Sequence, residues 1–289
     1  MGEHFSIRTT DPSFLEVLRR SIGRFLTGRP ESDWYLFSAD ARPDRRLGGT
    51  SIRGKHSLYT SGLLVYTGLS LDEMAGRLIR IIRDRLTGNA HEYVHISGAA
   101  VALEGGALLL PSAPNEHLPL LAALLVRAGA AYLGDEVVRL DPVLRLVHPL
   151  PLPLLLDTDD IALVPELGRE PVPRLRSMDP PQAPMTNRRP VNLEELGGEA
   201  APPTPIQWIV FPTFEPGAET RLLPMTKAEA TFHLGGTAML NRDIWRERAL
   251  FLARDLSATT TVARLVVGSP ARAVELLGES FRLPVGAPG

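Results

Sequence analysis

The sequence predicts an α/β protein, in which strand-length apolar runs alternate with amphipathic helical segments. Two segments carry most of this prediction. Residues 71–86 repeat apolar side chains at helical spacing behind a capping box formed by Ser70 and Glu73. Residues 107–141 run in the order apolar strand, loop, apolar helix, strand and acidic pair. The 289 residues leave room for one large domain or two modest ones, with a sizeable core.

The composition narrows the classes of function. A formal net charge of −2 gives no indication of a nucleic-acid partner. The longest apolar runs are too short or too interrupted by proline to cross a membrane. The absence of cysteine excludes disulfides, thiolate metal sites and cysteine nucleophiles. The first residues, MGEHFSIRTTD, lack the apolar segment of a signal peptide, and we expect a cytoplasmic protein.

Residues 1–90 predict a small N-terminal α/β region. Its predicted elements begin with a strand at 5–8 and a helix at 11–26 that is capped by Asp11. A polar loop at 42–54, a second strand at 57–65 and a second helix at 71–86 follow. Gly88 is expected to end the second helix.

Residues 91–289 predict a second α/β domain. It begins with strands at 93–96, 99–103 and 107–110 and a helix at 120–127. Residues 165–205 are rich in proline and glycine and predict a long loop within this domain. The C-terminal extension is expected to contain two strands and three helices: strands 206–213 and 263–267, and helices 227–234, 242–256 and 270–277.

Residues 107–141 have the element order of P-loop nucleotide-binding proteins without the residues of the loop itself. The pattern G-x-x-x-x-G-K-[ST] supplies backbone N–H groups, a lysine and a magnesium-binding hydroxyl to the phosphates. The eight matching positions are Ser112, Ala113, Pro114, Asn115, Glu116, His117, Leu118 and Pro119. Two prolines remove N–H donors, and Glu116 would set a carboxylate against the phosphates. The loop therefore predicts the loss of a conventional ATP site.

The chain resembles the bacterial HPr kinase-related family, whose P-loop proteins are akin to HPr kinase/phosphorylase and phosphoenolpyruvate carboxykinase. The resemblance runs from about Leu71 to the C-terminus and is clearest at residues 101–111, 120–142 and 206–230. It implies an HPr kinase-like P-loop core with a small N-terminal α/β region and a C-terminal α/β extension. The spacing between the loop and the acidic pair Asp135 and Glu136 matches the family without a gap.

The resemblance also assigns roles to single positions. The family's loop glycines fall on Ser112, Asn115 and His117. Its lysine falls on Leu118 and its magnesium-binding hydroxyl on Pro119.

The acidic pair is retained. In active relatives the residues at Asp135 and Glu136 support magnesium and activate the acceptor hydroxyl, which makes these two the candidate catalytic residues here. A histidine of the family's preceding strand falls closest to Ser97, with His95 two residues earlier.

Three functions follow as hypotheses. The first is a catalytically degenerate kinase that needs no cofactor and binds a protein partner, as a scaffolding subunit beside a biosynthetic or regulatory enzyme. The resemblance implies self-association or pairing with an active paralogue. The second is an atypical kinase that uses ATP and magnesium to phosphorylate a Ser or Thr hydroxyl of a protein, peptide or small molecule. Arg139, Arg188 or Arg189 would then replace the lysine.

The third and most remote hypothesis is a zinc hydrolase, because residues 91–95 read HEYVH and match the H-E-x-x-H pattern. That pattern requires a helix, in which His91 and His95 share one face. The surrounding residues predict a strand instead, where residues four apart lie roughly 13 Å apart, too far to share one zinc ion. If the segment were helical, Glu116 could be a distant third ligand. Because the surrounding residues predict a strand, we expect no metal site.

Overall fold

The computed structural model describes residues 5–27, 36–41, 45–47, 50–52, 56–112, 117–164, 167, 188–245 and 247–283. The chain forms two compact units. The first unit contains Met1–Gly88, Leu155–Asp159 and Glu170–Asn192. The second contains Asn89–Leu154, Asp160–Arg169 and Leu193–Gly289. Both units combine strands and helices, which confirms the α/β class.

The elements are numbered in chain order. The strands are β1 Ser6–Thr9, β2 Leu36–Ala41, β3 Arg45–Leu47, β4 Thr50–Ile52, β5 His56–Thr60, β6 Leu63–Leu69, β7 Val94–Leu103, β8 Gly106–Pro111, β9 Ala131–Gly134, β10 Val137–Leu140, β11 Leu146–His148, β12 Leu154–Asp157, β13 Arg188–Val191, β14 Thr204–Phe214, β15 Arg221–Pro224 and β16 Thr261–Val267. The α-helices are α1 Pro12–Ile22, α2 Leu71–Gly88, α3 Leu118–Arg127, α4 Thr158–Ile161, α5 Lys227–His233, α6 Arg242–Trp245, α7 Glu247–Thr259 and α8 Pro270–Phe281. A π-helical turn, Leu234–Ala238, follows α5, and 3₁₀ turns occupy Gly23–Phe25 and Glu194–Leu196.

The first unit is built on a four-stranded sheet in the order β1–β2–β5–β6. Both of its long helices begin as the sequence predicts. The Asp11 carboxylate accepts a hydrogen bond from the Ser13 N–H at 2.7 Å, and Ser70 and Glu73 exchange the two bonds of a capping box. The helices bury apolar side chains against the sheet, forming a core that includes Phe14, Leu18, Phe37, Leu58, Met74, Leu78 and Ile79.

The second unit is built on a mixed sheet in the order β11–β10–β7–β8–β14–β16–β15, with β9 also paired to β7. β11 pairs with β14 as well as with β10, so the sheet curls back on itself at this end. One face packs against α5 and α7 through apolar side chains that include Ile96, Val138, Leu234 and Leu256. Helix α3 packs on β7, β9 and α8.

Strand β7 is an interior strand of this sheet and is bonded along both edges. Its C-terminal half pairs with β8 on one edge and β9 on the other, and its N-terminal half pairs with β10. Gly98, in the middle of the strand, has φ +149°, and a Cβ there would collide with the carbonyl oxygen of Leu110 and lie 2.9 Å from Pro111 Cα. The close approach of β8 therefore requires a glycine.

Several elements differ from those predicted. The predicted strands 93–96 and 99–103 are one strand, β7, because pairing continues through Gly98, which is bonded opposite Pro111 of β8. The predicted polar loop 42–54 contains β3 and β4, and the predicted strand 57–65 is a hairpin of β5 and β6 turning at Ser61 and Gly62. The predicted loop 165–205 contains β13 and a 3₁₀ turn, and the predicted helix 242–256 comprises α6 and α7. Among the described residues, no helix is both long and apolar enough to cross a membrane.

We predict that Gly98→Ala destabilises the second unit by roughly 2–4 kcal/mol, because alanine must adopt a disfavoured φ and displace β8. Chemical denaturation measures the change. Gly236→Ala is the matched control, since a Cβ at Gly236 meets nothing within 4 Å. Equal stability of the two variants would show that the approach of β8 to Gly98 is not a constraint.

Candidate functional site

The start of the altered loop and the acidic pair meet at the middle of β7. The Ser112 N–H donates a hydrogen bond to the Ser97 carbonyl at 3.1 Å, and the Gly98 N–H donates one to the Glu136 carbonyl at 3.2 Å. Ser112 and Glu136 therefore lie on opposite sides of β7, next to the adjacent residues Ser97 and Gly98. The fold thus brings together two segments that the sequence singles out as functional.

The lysine and hydroxyl positions of the loop are filled by core residues. Helix α3 begins at Leu118, two residues earlier than predicted, so both Leu118 and Pro119 belong to its first turn. Leu118 is 4% exposed and Pro119 is buried, as are most other residues of the helix. Neither side chain can neutralise or coordinate a phosphate, because both are apolar and enclosed.

His117 lies immediately before α3 and faces a carboxylate. Its Nδ1 atom is 3.5 Å from the Oδ1 atom of Asp160, a residue of α4 that is itself buried. The ring of His117 packs against the ring of Phe214 at a centroid distance of 5.6 Å. A negative charge therefore lies beside the helix start, which is the position that suits a bound anion in phosphate-binding loops.

The acidic pair forms the connection between β9 and β10. Asp135 is 2% exposed, and its carboxylate accepts a hydrogen bond of 2.5 Å from the hydroxyl of Tyr132. Glu136 is partly exposed and has φ +58°, a conformation uncommon for residues other than glycine. Asp135 thus stabilises a tight turn from within the core. Sequence reasoning identified this residue but not its partner Tyr132.

Two loop positions, Asn115 and Glu116, lie outside the described residues, together with Ala113 and Pro114. The described part of the altered loop consists of Ser112 and of His117, Leu118 and Pro119.

The HEYVH segment does not form a zinc-binding helix. His91 and Glu92 lie in the turn before β7, and His95 is the second residue of the strand, as the strand prediction requires. The backbone of His95 bonds to Asn241 and Leu240 at 2.9 and 2.8 Å. In the part of the chain that the structure describes, no three His, Asp or Glu side chains are grouped to hold a metal ion.

His95 belongs instead to a row of basic side chains across three strands. In the antiparallel register Arg139 of β10 lies directly opposite His95 of β7, and His148 of β11 lies directly opposite Arg139. Residues paired in this way point to the same face of a sheet. We call His95, Arg139 and His148 the basic row. Tyr93 packs beside it, with its ring 5.0 Å from that of His148 and 5.3 Å from Arg139 Cζ.

Burial sets the charge state within the basic row. Burial, and then the positive charge of Arg139, lower the pKa of His95 to about 4, so its imidazole is neutral at pH 7. Burial also lowers the pKa of the Arg139 guanidinium, which the nearby Tyr93 and Glu92 partly offset. Arg139 nevertheless remains a cation at pH 7, because arginine in proteins does not deprotonate.

Comparisons with protein-family models, curated proteins and solved structures found no match to this chain.

The depressed pKa of His95 predicts a loss of stability at acidic pH. Below about pH 6.5 the unfolded chain takes up a proton at His95, whereas the folded chain takes it up only near pH 4. The stability that the neutral His95 contributes to the folded chain is thus complete above pH 6.5. As the pH falls to 4, the free energy of unfolding decreases by about 2–3 kcal/mol at most. We expect His95→Gln to flatten the pH dependence of unfolding free energy in this window, whereas the exposed His91→Gln should retain it. Parallel profiles for wild type and His95→Gln would contradict the prediction.

Proposed function

We propose that this chain is a catalytically degenerate HPr kinase-like protein that acts by binding a protein partner. The observation that carries the proposal is the burial of Leu118 and Pro119 in the first turn of α3. In an active P-loop protein these two positions supply the phosphate-binding charge and the magnesium ligand. Here they supply packing, and the frame around them is kept without its chemistry.

The neighbouring side chains support the same proposal. Asp160 beside His117 would repel a phosphate at the start of α3. Asp135 is enclosed and bonded to Tyr132, so it is poorly placed to reach a magnesium ion or an acceptor hydroxyl from solvent. Since phosphoryl transfer depends mostly on positioning and electrostatic stabilisation, the loss of these groups removes the largest contributions to catalysis.

A surface of exposed apolar side chains supports the binding role. Five such residues lie on α5, α6, α7 and the segments that join them: Phe232, Leu240, Ile244, Leu250 and Phe251. α5 and α7 pack together, and a Cβ at Gly235, just after α5, would lie 3.3 Å from Leu250 Cδ1. We call these five residues the apolar helical surface. Exposed apolar side chains that lie together on packed helices would suit a protein–protein contact.

The partner that we propose first is a second copy of the chain. The resemblance to HPr kinases, which are oligomers, favours self-association or pairing with an active paralogue. An exposed apolar surface on packed helices can bury its side chains against the same surface of another copy, in a two-fold arrangement.

An atypical ATP-dependent kinase is the second candidate function, and Arg139 is the observation that favours it. Arg139 follows Asp135 by four residues and lies opposite His95, so a cation is present close to the acidic pair. Arg188 and Arg189, the other two candidates, lie on β13 in the first unit. Turnover of MgATP that requires Arg139 would favour this function over the first.

We predict no phosphoryl transfer or MgATP hydrolysis that depends on Asp135. The experiment compares wild type with Asp135→Asn, and uses Asp243→Asn, in which an exposed carboxylate is removed, as the matched control. All three proteins should release phosphate at the same background rate. Turnover lost in Asp135→Asn and kept in Asp243→Asn would contradict the degenerate-kinase proposal.

We also predict that Phe232→Ser combined with Phe251→Ser weakens self-association by about tenfold or more, because each large apolar side chain contributes roughly 1.5–3 kcal/mol when buried. Sedimentation velocity over a range of protein concentrations measures the strength of self-association. The control is Leu144→Ser, which removes a 64% exposed leucine from the turn between β10 and β11. A wild-type chain that stays monomeric, or a control that weakens association equally, would contradict the proposed surface.

A further inference from the structure

The basic row has nitrogen atoms that the protein does not satisfy. The Nε2 atoms of His95 and His148 and the Nε atom of Arg139 are shielded from solvent, and none has a hydrogen-bond partner. His95 as a whole is 5% exposed. Buried polar atoms in folded proteins are almost always bonded, so three unpartnered nitrogens on adjacent strands require an explanation.

Two other polar atoms of the row have partners within the protein. The Nη2 group of Arg139 donates to the Pro149 carbonyl. The Tyr93 hydroxyl lies 3.5 Å from His148 Nδ1. When this hydroxyl donates to Nδ1, the proton of the neutral imidazole resides on Nε2, which becomes a donor. The row therefore presents the Nε–H of Arg139 beside the Nε2–H of His148, and His95 adds a second imidazole donor in the tautomer that carries its proton on Nε2.

The charges around the row favour an anion. Arg139 is the cation nearest to His95, and Glu92 is the carboxylate that acts on both residues, while His91 acts weakly on His95. Glu92 lies in the turn before β7 and is exposed, so solvent screens its charge. Tyr93, Arg139 and His148 are each only partly buried, so the row lies close to the surface, and a movement of these side chains would open its shielded nitrogens to a solute.

We propose that His95, Arg139 and His148 form a binding site for a small tetrahedral oxyanion of the phosphate class. A guanidinium flanked by two imidazoles offers several donors to one oxyanion, and charge-assisted bonds of this type are the strongest that a protein makes to phosphate. The occupant is inorganic phosphate or the phosphoryl group of a larger molecule. The site goes beyond the proposed function, since none of its residues belongs to the altered loop.

The test is calorimetric titration of the full chain with inorganic phosphate at pH 7, with ionic strength held constant by sodium chloride. We expect binding tighter than about 10 mM, and a loss of tenfold or more in Arg139→Gln, as for a charge-assisted hydrogen bond. The matched control is Arg254→Gln, which removes an exposed arginine from α7 and should change affinity less than twofold. Wild type that binds no phosphate, or equal weakening in both variants, would overturn the site.

A second measurement keeps the test decisive if Arg139→Gln fails to fold. The imidazole of His95 in the wild-type protein is titrated by NMR in phosphate and in chloride. Bound phosphate should move the pKa of His95 upwards from about 4, because the anion offsets the charge of Arg139. An unchanged titration would overturn the proposal.

Competition by MgATP separates the two sources of the oxyanion. Displacement of phosphate by MgATP, weakened in Arg139→Gln, identifies a nucleotide phosphoryl group as the occupant. Phosphate binding without competition identifies a free oxyanion. Either result is independent of the turnover experiment with Asp135→Asn, so the two proposals fail separately.

Discussion

The second unit depends on the pairing of β7 along both of its edges. Its backbone bonds to β8 on one side and to β9 and β10 on the other, so nearly every residue of the strand is buried. Such a strand is expected to be apolar or small. His95 and Ser97 depart from that rule, and both lie in the half that pairs with β10. The two buried polar side chains of this strand therefore lie in its N-terminal half.

The first turn of α3 illustrates a conflict between packing and phosphate binding. A phosphate cradle needs open backbone N–H groups and a long cationic side chain at a helix start. A helix enclosed by β7, β9 and α8 needs apolar side chains in its first turn. Leu118 and Pro119 satisfy the second need alone. Asp135 likewise has a structural role, since its buried carboxylate accepts the Tyr132 hydrogen bond within the turn between β9 and β10.

The features that the sequence predicts well are local ones. The capping box at Ser70 and the Asp11 cap can be recognised from the sequence because their partners lie within three residues. The sequence predicts two strands where the structure has β7, because a glycine within an apolar run is typical of a strand end. The reason for Gly98 is the close approach of β8, which leaves no room for a Cβ and which the sequence does not show. The short polar strands β3 and β4 lack the alternation that identifies a strand.

The candidate site was predicted in part. Asp135 and the altered loop could be located from spacing, but the Tyr132 hydrogen bond depends on the turn between β9 and β10. The HEYVH pattern would give His95 a helical role, which the strand excludes. The relation of His95 to Arg139 and His148 depends on the register of β7, β10 and β11, which no one-dimensional pattern contains.

The pairing of β11 with β14 limits how this protein can assemble. Open sheet edges recruit further strands from other chains, which is a common route to fibres and swapped dimers. Here the curled end has β11 bonded on both sides, and the opposite end is closed by β15, a four-residue strand that begins with Arg221 and ends with Pro224. A charged, proline-ended edge is a poor template for a new strand. These two ends of the sheet are thus poor sites for pairing with a strand of another chain.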